Sequence, residues 1–182
     1  MIRTVIVPPA EEPLSLPEAK AFLQVGHAAE DDLIEALLAG GRAHIENSLD
    51  IALVFQTIEI AISSSEIGPG GYMLRPGPAN ALVSVTRETE DGAIEDVTSL
   101  FEIDGQYLRV QAGESLAAFA NDCGLKVRFQ TGFGAASDVP DDLQLALRLL
   151  IGQSYSNRDG AFDTTAMVTI TDLLAPYREV RL

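Results

Sequence analysis

Two adjacent carboxylate pairs, Asp31-Asp32 and Asp141-Asp142, are the first residues whose type suggests acid–base chemistry. A general acid and base must converge on one reacting group. Neighbouring residues on a helix point about 100° apart, so neither pair forms such a dyad. Each pair stands where a helix begins, and negative charge there is stabilised by the helix dipole. The two histidines, His27 and His44, come without the CxxC or HExxH spacing of a metal site; helix-face packing for His44 and loop solvation for His27 account for them. Cys123 lies between Asp122 and Gly124, with no basic neighbour to lower its pKa, and reads as an inert thiol. No GxSxG elbow presents a serine. Gly68-Pro-Gly-Gly71 and Gly132-Phe-Gly134 lack the lysine or the strand–helix setting of a phosphate loop and read as turns. The expectation is a non-enzymatic chain with no catalytic residue, no cofactor and no metal.

Composition sets wider bounds. The 182 residues suffice for one domain, or one domain with an insert, and 47% hydrophobic content argues against global disorder. No apolar run approaches the length of a membrane span. The opening Met1-Ile-Arg-Thr-Val-Ile-Val-Pro-Pro is too short in its apolar part for a secretory signal. A single cysteine cannot form an internal disulfide and is compatible with the cytosol. The 12 Lys and Arg against 27 Asp and Glu give a net charge of −15. Duplex DNA binding draws on phosphate neutralisation, which this balance disfavours. The acidity reads as solubility, or as repulsion of nucleic acid that must pass close by.

The elements follow from pattern. Pro8-Pro9 and Pro13 make residues 1–13 an extended arm, in which Val5, Ile6 and Val7 are suited to pairing with a sheet edge or a neighbour. Ser15-Leu-Pro-Glu18 is a capping box with Pro17 in the tolerant first turn; it predicts a helix through Val25, ended by Gly26. A second helix starts at Glu30-Asp31-Asp32 and runs on the stripe Leu33, Leu37, Gly41, Ile45 and Leu49, widened by Ile34 and Leu38. Gly40-Gly41 within it predicts close approach of another helix. From Phe55 the period becomes two, with Ile58, Ile60 and Ile62 on one face. Strands are expected at Tyr72–Arg75, Ala81–Thr89, Ile94–Val97, Phe101–Ile103, Tyr107–Gln111 and Leu125–Gln130, with turns at Asp91-Gly92 and Asp104-Gly105. Such spacing predicts a small antiparallel sandwich or barrel. After Pro140 a helix returns on Leu143, Ala146, Leu147, Leu150, Ile151 and Ser154. Ile170–Ala175 predicts a single helical turn stopped by Pro176.

The fold class expected is therefore α+β: a small helical bundle built from both ends of the chain, an inserted antiparallel β-sandwich or barrel-like domain, and an extended C-terminal tail. The boundaries are 1–54 for the arm and first helices, 55–134 for the β-rich insert, 135–158 for the returning bundle helix and 159–182 for the tail. On this acidic chain the stretch from Tyr177 to Leu182 is unusual in carrying Arg178 and Arg181 among apolar residues. It reads either as a packed or frayed terminus or as a docking peptide whose arginines seek a partner's carboxylates. Two other functional classes stay open on these residues alone: a β module that binds a ligand such as a glycan, and a small hydrolase assembled from scattered acids.

An ordered set of segments resembles the head–tail connector (adaptor) family of tailed phages and gene transfer agents. It begins with Pro13-Leu-Ser-Leu-Pro-Glu-Ala-Lys20, Phe22-Leu-Gln-Val25 and Leu33-Ile-Glu-Ala-Leu37. It continues through Arg42-Ala-His-Ile-Glu46, Ala52-Leu53 and Gln56-Thr57, resumes at Thr131-Gly-Phe-Gly134 and Val139-Pro140, and closes with Leu173-Leu-Ala-Pro-Tyr-Arg178 and Val180-Arg-Leu182. Gly40-Gly41 stands where the family has alanines, and Gln24 where it often has a basic residue. The resemblance implies a homo-oligomeric ring, usually of twelve copies, below the portal protein of a particle assembled in the bacterial cytoplasm. The ring extends the DNA channel, which DNA crosses without specific binding, and offers a platform to a tail-side stopper or terminator protein. It also implies that Leu173, Leu174, Pro176, Tyr177, Arg178, Arg181 and Leu182 dock on the portal.

Overall fold

A computed structural model describes residues 3–89, 91–115, 124–157 and 163–178. In chain order the elements are β1 (Arg3–Val7), α1 (Leu16–Leu23), α2 (Asp31–Leu49), β2 (Gln56–Ser63), β3 (Tyr72–Met73), β4 (Ala79–Glu88), β5 (Ile94–Asp96), β6 (Phe101–Asp104), β7 (Tyr107–Val110), β8 (Gly124–Thr131), α3 (Asp141–Ser156) and α4 (Thr164–Leu174). The class is α+β, as the sequence pattern predicts. The chain divides into two compact units: residues 1–9 with 55–132, and residues 10–54 with 133–182.

The β unit holds two antiparallel sheets, one ordered β1-β2-β8-β4-β5 and one ordered β3-β7-β6. Strand β2 alternates as its sequence predicts, and its buried Ile58, Ile60 and Ile62 stand opposite Phe129, Val127 and Leu125 of β8. On the other face Glu59 lies directly across from Arg128 and pairs with it at 2.6 Å. Leu74, Phe101 and Leu108 join the same core as these β2 and β8 residues, so the two sheets share one apolar interior. The proline-rich stretch between β3 and β4 is held by polar side chains. The buried Thr131 hydroxyl reaches the carbonyl oxygens of Pro76 at 2.7 Å and Pro78 at 2.9 Å. Gln106 donates to Leu74 O and accepts from Ala79 N. The N-terminal arm is extended as expected, but it belongs to the sheet rather than to the helices: β1 pairs with β2, leaving Val5, Ile6 and Val7 exposed on that edge.

The helical unit packs α1 to α4 round one core that includes Leu14, Ile34, Leu38, Ile45, Leu143, Leu147, Ile151 and Ile170. The capping box of α1 is formed: Ser15 Oγ accepts from Glu18 N, and Glu18 Oε2 accepts from Ser15 N at 2.9 Å. The helix stops at Leu23 rather than Val25. Gln24 adopts a left-handed conformation at φ 59°, and Val25 N returns to Lys20 O at 2.9 Å, so the chain satisfies its last carbonyls before the glycine. In α2 the buried stripe is Ile34, Leu38, Gly41, Ile45 and Leu49, with Leu33 and Leu37 half-buried beside it. Arg42, one residue on, pairs with Glu12 at 2.7 Å and Glu46 at 3.0 Å, while Glu46 Oε1 accepts from Leu53 N.

The C-terminal half departs most from its sequence reading. Instead of one turn over Ile170–Ala175, the chain forms an 11-residue helix, Thr164–Leu174, capped by Asp163, whose carboxylate accepts from Thr165 N at 2.9 Å. Six of those 11 residues are β-branched, which lowers intrinsic helix propensity and hides the helix from a propensity argument. Burial of Ile170 and Leu174, only 3% and 4% exposed, overrides that preference.

The glycine pair of α2 splits into two roles. A Cβ on Gly41 would stand 2.8 Å from Leu147 Cδ1 and 3.4 Å from Ile151 Cγ2 of α3, whereas one on Gly40 would meet nothing. Replacing Gly40 by Ala should raise stability by about 0.5–1 kcal/mol through helix propensity. Gly41→Leu should lower it by at least about 2 kcal/mol by overpacking the α2–α3 contact. Chemical denaturation of the two variants checks the contrast; equal effects would contradict the close approach.

Candidate functional site

Of the residues that the sequence singles out near the C-terminus, Leu173 and Leu174 fall on the last turn of α4, Pro176 and Tyr177 on the 3₁₀ turn Ala175–Tyr177 that continues it, and Arg178 just after that turn. Their placement is uneven. Leu174 is buried in the helical core and Leu173 packs half-buried against it. Tyr177 is half-buried: its hydroxyl donates to Asp142 Oδ1 at 2.7 Å, and its ring meets Phe133 edge-on at a centroid distance of 6.2 Å. Pro176 and Arg178 are exposed. Arg181 and Leu182 lie outside the described residues, as does Cys123. One set of seven residues therefore contains members already engaged inside the unit and members that face outward.

In sequence Asp142 reads only as a helix-start residue. It keeps that role, since its Oδ1 also accepts from Leu143 N at 2.9 Å, but it doubles as the acceptor for Tyr177. Burial, reinforced by the bond to Asp142, pushes the Tyr177 phenol up to about 12. In sequence Phe133 stands within the Gly132-Phe-Gly134 turn, part of the resembling segment Thr131–Gly134. Its contact links residues 44 positions apart in sequence, and no local pattern carries such information.

The residues weighed for catalysis are dispersed. His27 and His44 are exposed. Asp31 pairs with Lys20, which ties the start of α2 to α1. Gly68 and Gly71 face each other across an isolated antiparallel bridge, and Gly71, at φ 89°, would drive a Cβ to within 2.7 Å of Leu108 O; that segment is a turn held against β7. Among the described residues no group of three or more His, Cys, Asp or Glu is placed to hold a metal ion. No helix among them is long and apolar enough to cross a membrane.

No family model matches the chain, and no curated protein matches it. Solved structures do match. A chain from the virion of a native gene transfer agent (GTA) particle superposes with TM-score 0.81 at 22% identity, covering 100% of this chain and 97% of that one. A chain from the neck of an empty GTA particle, computed with C6 symmetry, gives 0.80 at 20% identity over the same shares. The fold is that of a GTA particle chain. A third match, from the neck of a native GTA particle computed with C12 symmetry, has TM-score 0.74 and 21% identity, with the same coverage. At about one residue in five identical, what is common to these chains is the fold, and both the β unit and the helical unit of the present chain fall inside the alignment.

The Tyr177 contact gives a direct optical test. In a spectrophotometric titration one tyrosine should ionise only near pH 12, and Tyr177→Phe should remove that component. The folded phenol holds its proton beyond the ordinary value of 10.0. Its stabilising contribution is therefore complete below that pH and is lost as pH rises toward the folded value. A late component that persists in Tyr177→Phe would contradict the assignment.

Proposed function

We propose that this protein is a structural head–tail adaptor subunit, forming a ring below the portal of a phage or phage-like particle and carrying no catalytic role. The observation that carries the reading is the match in fold, along 100% of this chain and 97% of the other, to chains from the neck and virion of GTA particles. The symmetric necks in which such chains occur, computed with C6 and C12 symmetry, support a ring of copies, twelve in the simplest case. In this reading the ring extends the DNA channel and presents a platform to a tail-side stopper or terminator protein. A charge of −15 suits a channel wall past which DNA must slide, because like charge withholds the phosphate contacts that would retain it.

The C-terminal segment is the proposed contact with the portal, and the geometry divides the labour within it. Leu173, Leu174 and Tyr177 fix the segment to the helical core. Pro176 and Arg178 face outward, and Arg181 and Leu182 add a second arginine and an apolar residue in sequence. An arginine that pairs bidentately with a partner's carboxylate supplies both affinity and orientation.

Two experiments test this. Light scattering and negative-stain imaging of the protein, alone and mixed with its portal, should reveal rings or portal-dependent assembly; a chain that stays monomeric and associates with neither portal nor tail proteins would overturn the reading. Truncation after Tyr177 should weaken portal binding at least about tenfold while leaving thermal stability within about 0.5 kcal/mol of the full chain, since it spares the core contacts of Leu173 and Leu174 and the Tyr177–Asp142 bond. Unchanged docking by the truncated chain would remove the C-terminal segment from the portal contact.

A further inference from the structure

The helical unit contains a cleft of about 580 Å³, between the stretch leading into α1 and the face of α2. Its floor is apolar, formed by Leu14, Leu16 and Leu38. Its rim carries Glu11, Glu12, Glu18 and Glu35, and no lysine, arginine or histidine lines it. Glu12 pairs with Arg42, which it shares with Glu46. The other three are exposed. Glu11 uses one oxygen on Ala136 N at 2.8 Å, Glu18 one on Ser15 N, and Glu35 has no ion pair or hydrogen bond among the described residues. Hydrogen bonds from the Ser15 hydroxyl and then from its backbone N–H hold the Glu18 carboxyl below its ordinary range.

The chemistry of an occupant follows from two further constraints. The carboxylates do not close on a common point that would hold a metal ion. They are separated by apolar floor instead, so the cation that suits them is elongated and has an aliphatic stem. That describes an arginine or lysine side chain, whose methylenes lie on apolar surface while the head reaches carboxylate. We infer that this cleft is a docking groove for a segment of a partner protein in which arginine or lysine alternates with apolar residues. The inference rests on the assembly reading only for the existence of such a partner, and its test does not depend on ring formation.

The test is a ¹⁵N–¹H correlation titration of the full chain with the probe peptide acetyl-Leu-Arg-Leu-Arg-Leu-amide. The same peptide with citrulline for arginine serves as the uncharged control. Amide shifts should be confined to residues 11–18, 35–39 and 136. They should require at least about tenfold more citrulline peptide, and the double variant Glu11→Gln/Glu35→Gln should weaken the arginine peptide by a similar factor. Both substituted side chains are exposed and lie outside the capping box, and a control variant, Asp172→Asn, should leave binding unchanged. Shifts spread over every acidic face would show ion-atmosphere binding and overturn the proposal. So would equal binding of both peptides, or full binding by the double variant. If groove amides shift with protein concentration alone, and truncation after Tyr177 abolishes that shift, the occupant is the C-terminal segment of a second copy and the partner assignment fails. Because no arm uses rings or portal, failure here leaves the adaptor reading standing, and failure of assembly leaves the groove testable.

Discussion

Arg42 holds together the two stretches by which the chain enters and leaves its helical unit. Its guanidinium pairs with Glu12 on the incoming strand of chain and with Glu46 one turn further along α2, and Glu46 in turn accepts from the backbone of Leu53 on the outgoing strand. Burial raises the Glu46 pKa, opposed by the bond from Leu53 and by Arg42. Burial likewise works against the charge on Arg42, and the two carboxylates more than offset it. Such a cluster adds little net stability over a well-packed apolar one, but removing any single member strands an uncompensated charge. Its consequence is geometric: residues 12 and 53 are pinned to one turn of α2, so the points at which the chain leaves for the β unit are set by the bundle itself.

The bundle has a second constraint, supplied by shape rather than charge. Gly41 lets α3 lie against α2 with Leu147 where a side chain on α2 would otherwise sit. Helix α4 then closes on α3 through Ile170 and Leu174, and Tyr177 reaches back to Asp142 at the start of α3. Of these, Leu174 and Tyr177 are residues that a functional reading of the C-terminus would assign outward. The proposed docking segment is thus anchored by the same residues that complete the core, and only its exposed side chains remain for a partner.

Acidity has different meanings in different places. At the starts of α2 and α3 it answers the helix dipole. At Glu46 and Glu12 it shares the one positive charge of Arg42. Around the cleft near α1 it is left facing apolar surface without a lining cation. The proposed ring adds a further use, as a wall that DNA passes without adhering. These uses are compatible because carboxylates cost little where water still reaches them, and the half-buried Glu46 accepts from Arg42 and from Leu53 N.

What the sequence determined by itself was local. Ser15 and Glu18 sit three residues apart and so close a capping box; the isoleucines of β2 alternate and so share a face; the prolines of the arm exclude a helix. These follow from the chain's own periodicities and dihedral limits, and they were enough for the α+β class and most strand positions. The membership of β1 in the sheet, the full length of α4, the unequal roles of Gly40 and Gly41, and the Phe133–Tyr177–Asp142 contact were decided only by the tertiary structure. Each depends on a residue far away in sequence: β2 for the arm, the helical core for Ile170 and Leu174, Leu147 for Gly41, and Asp142 for a tyrosine 35 positions later. Burial against such distant partners outweighs local propensity by more than propensity differences amount to, and that surplus appears only once the chain has brought them together.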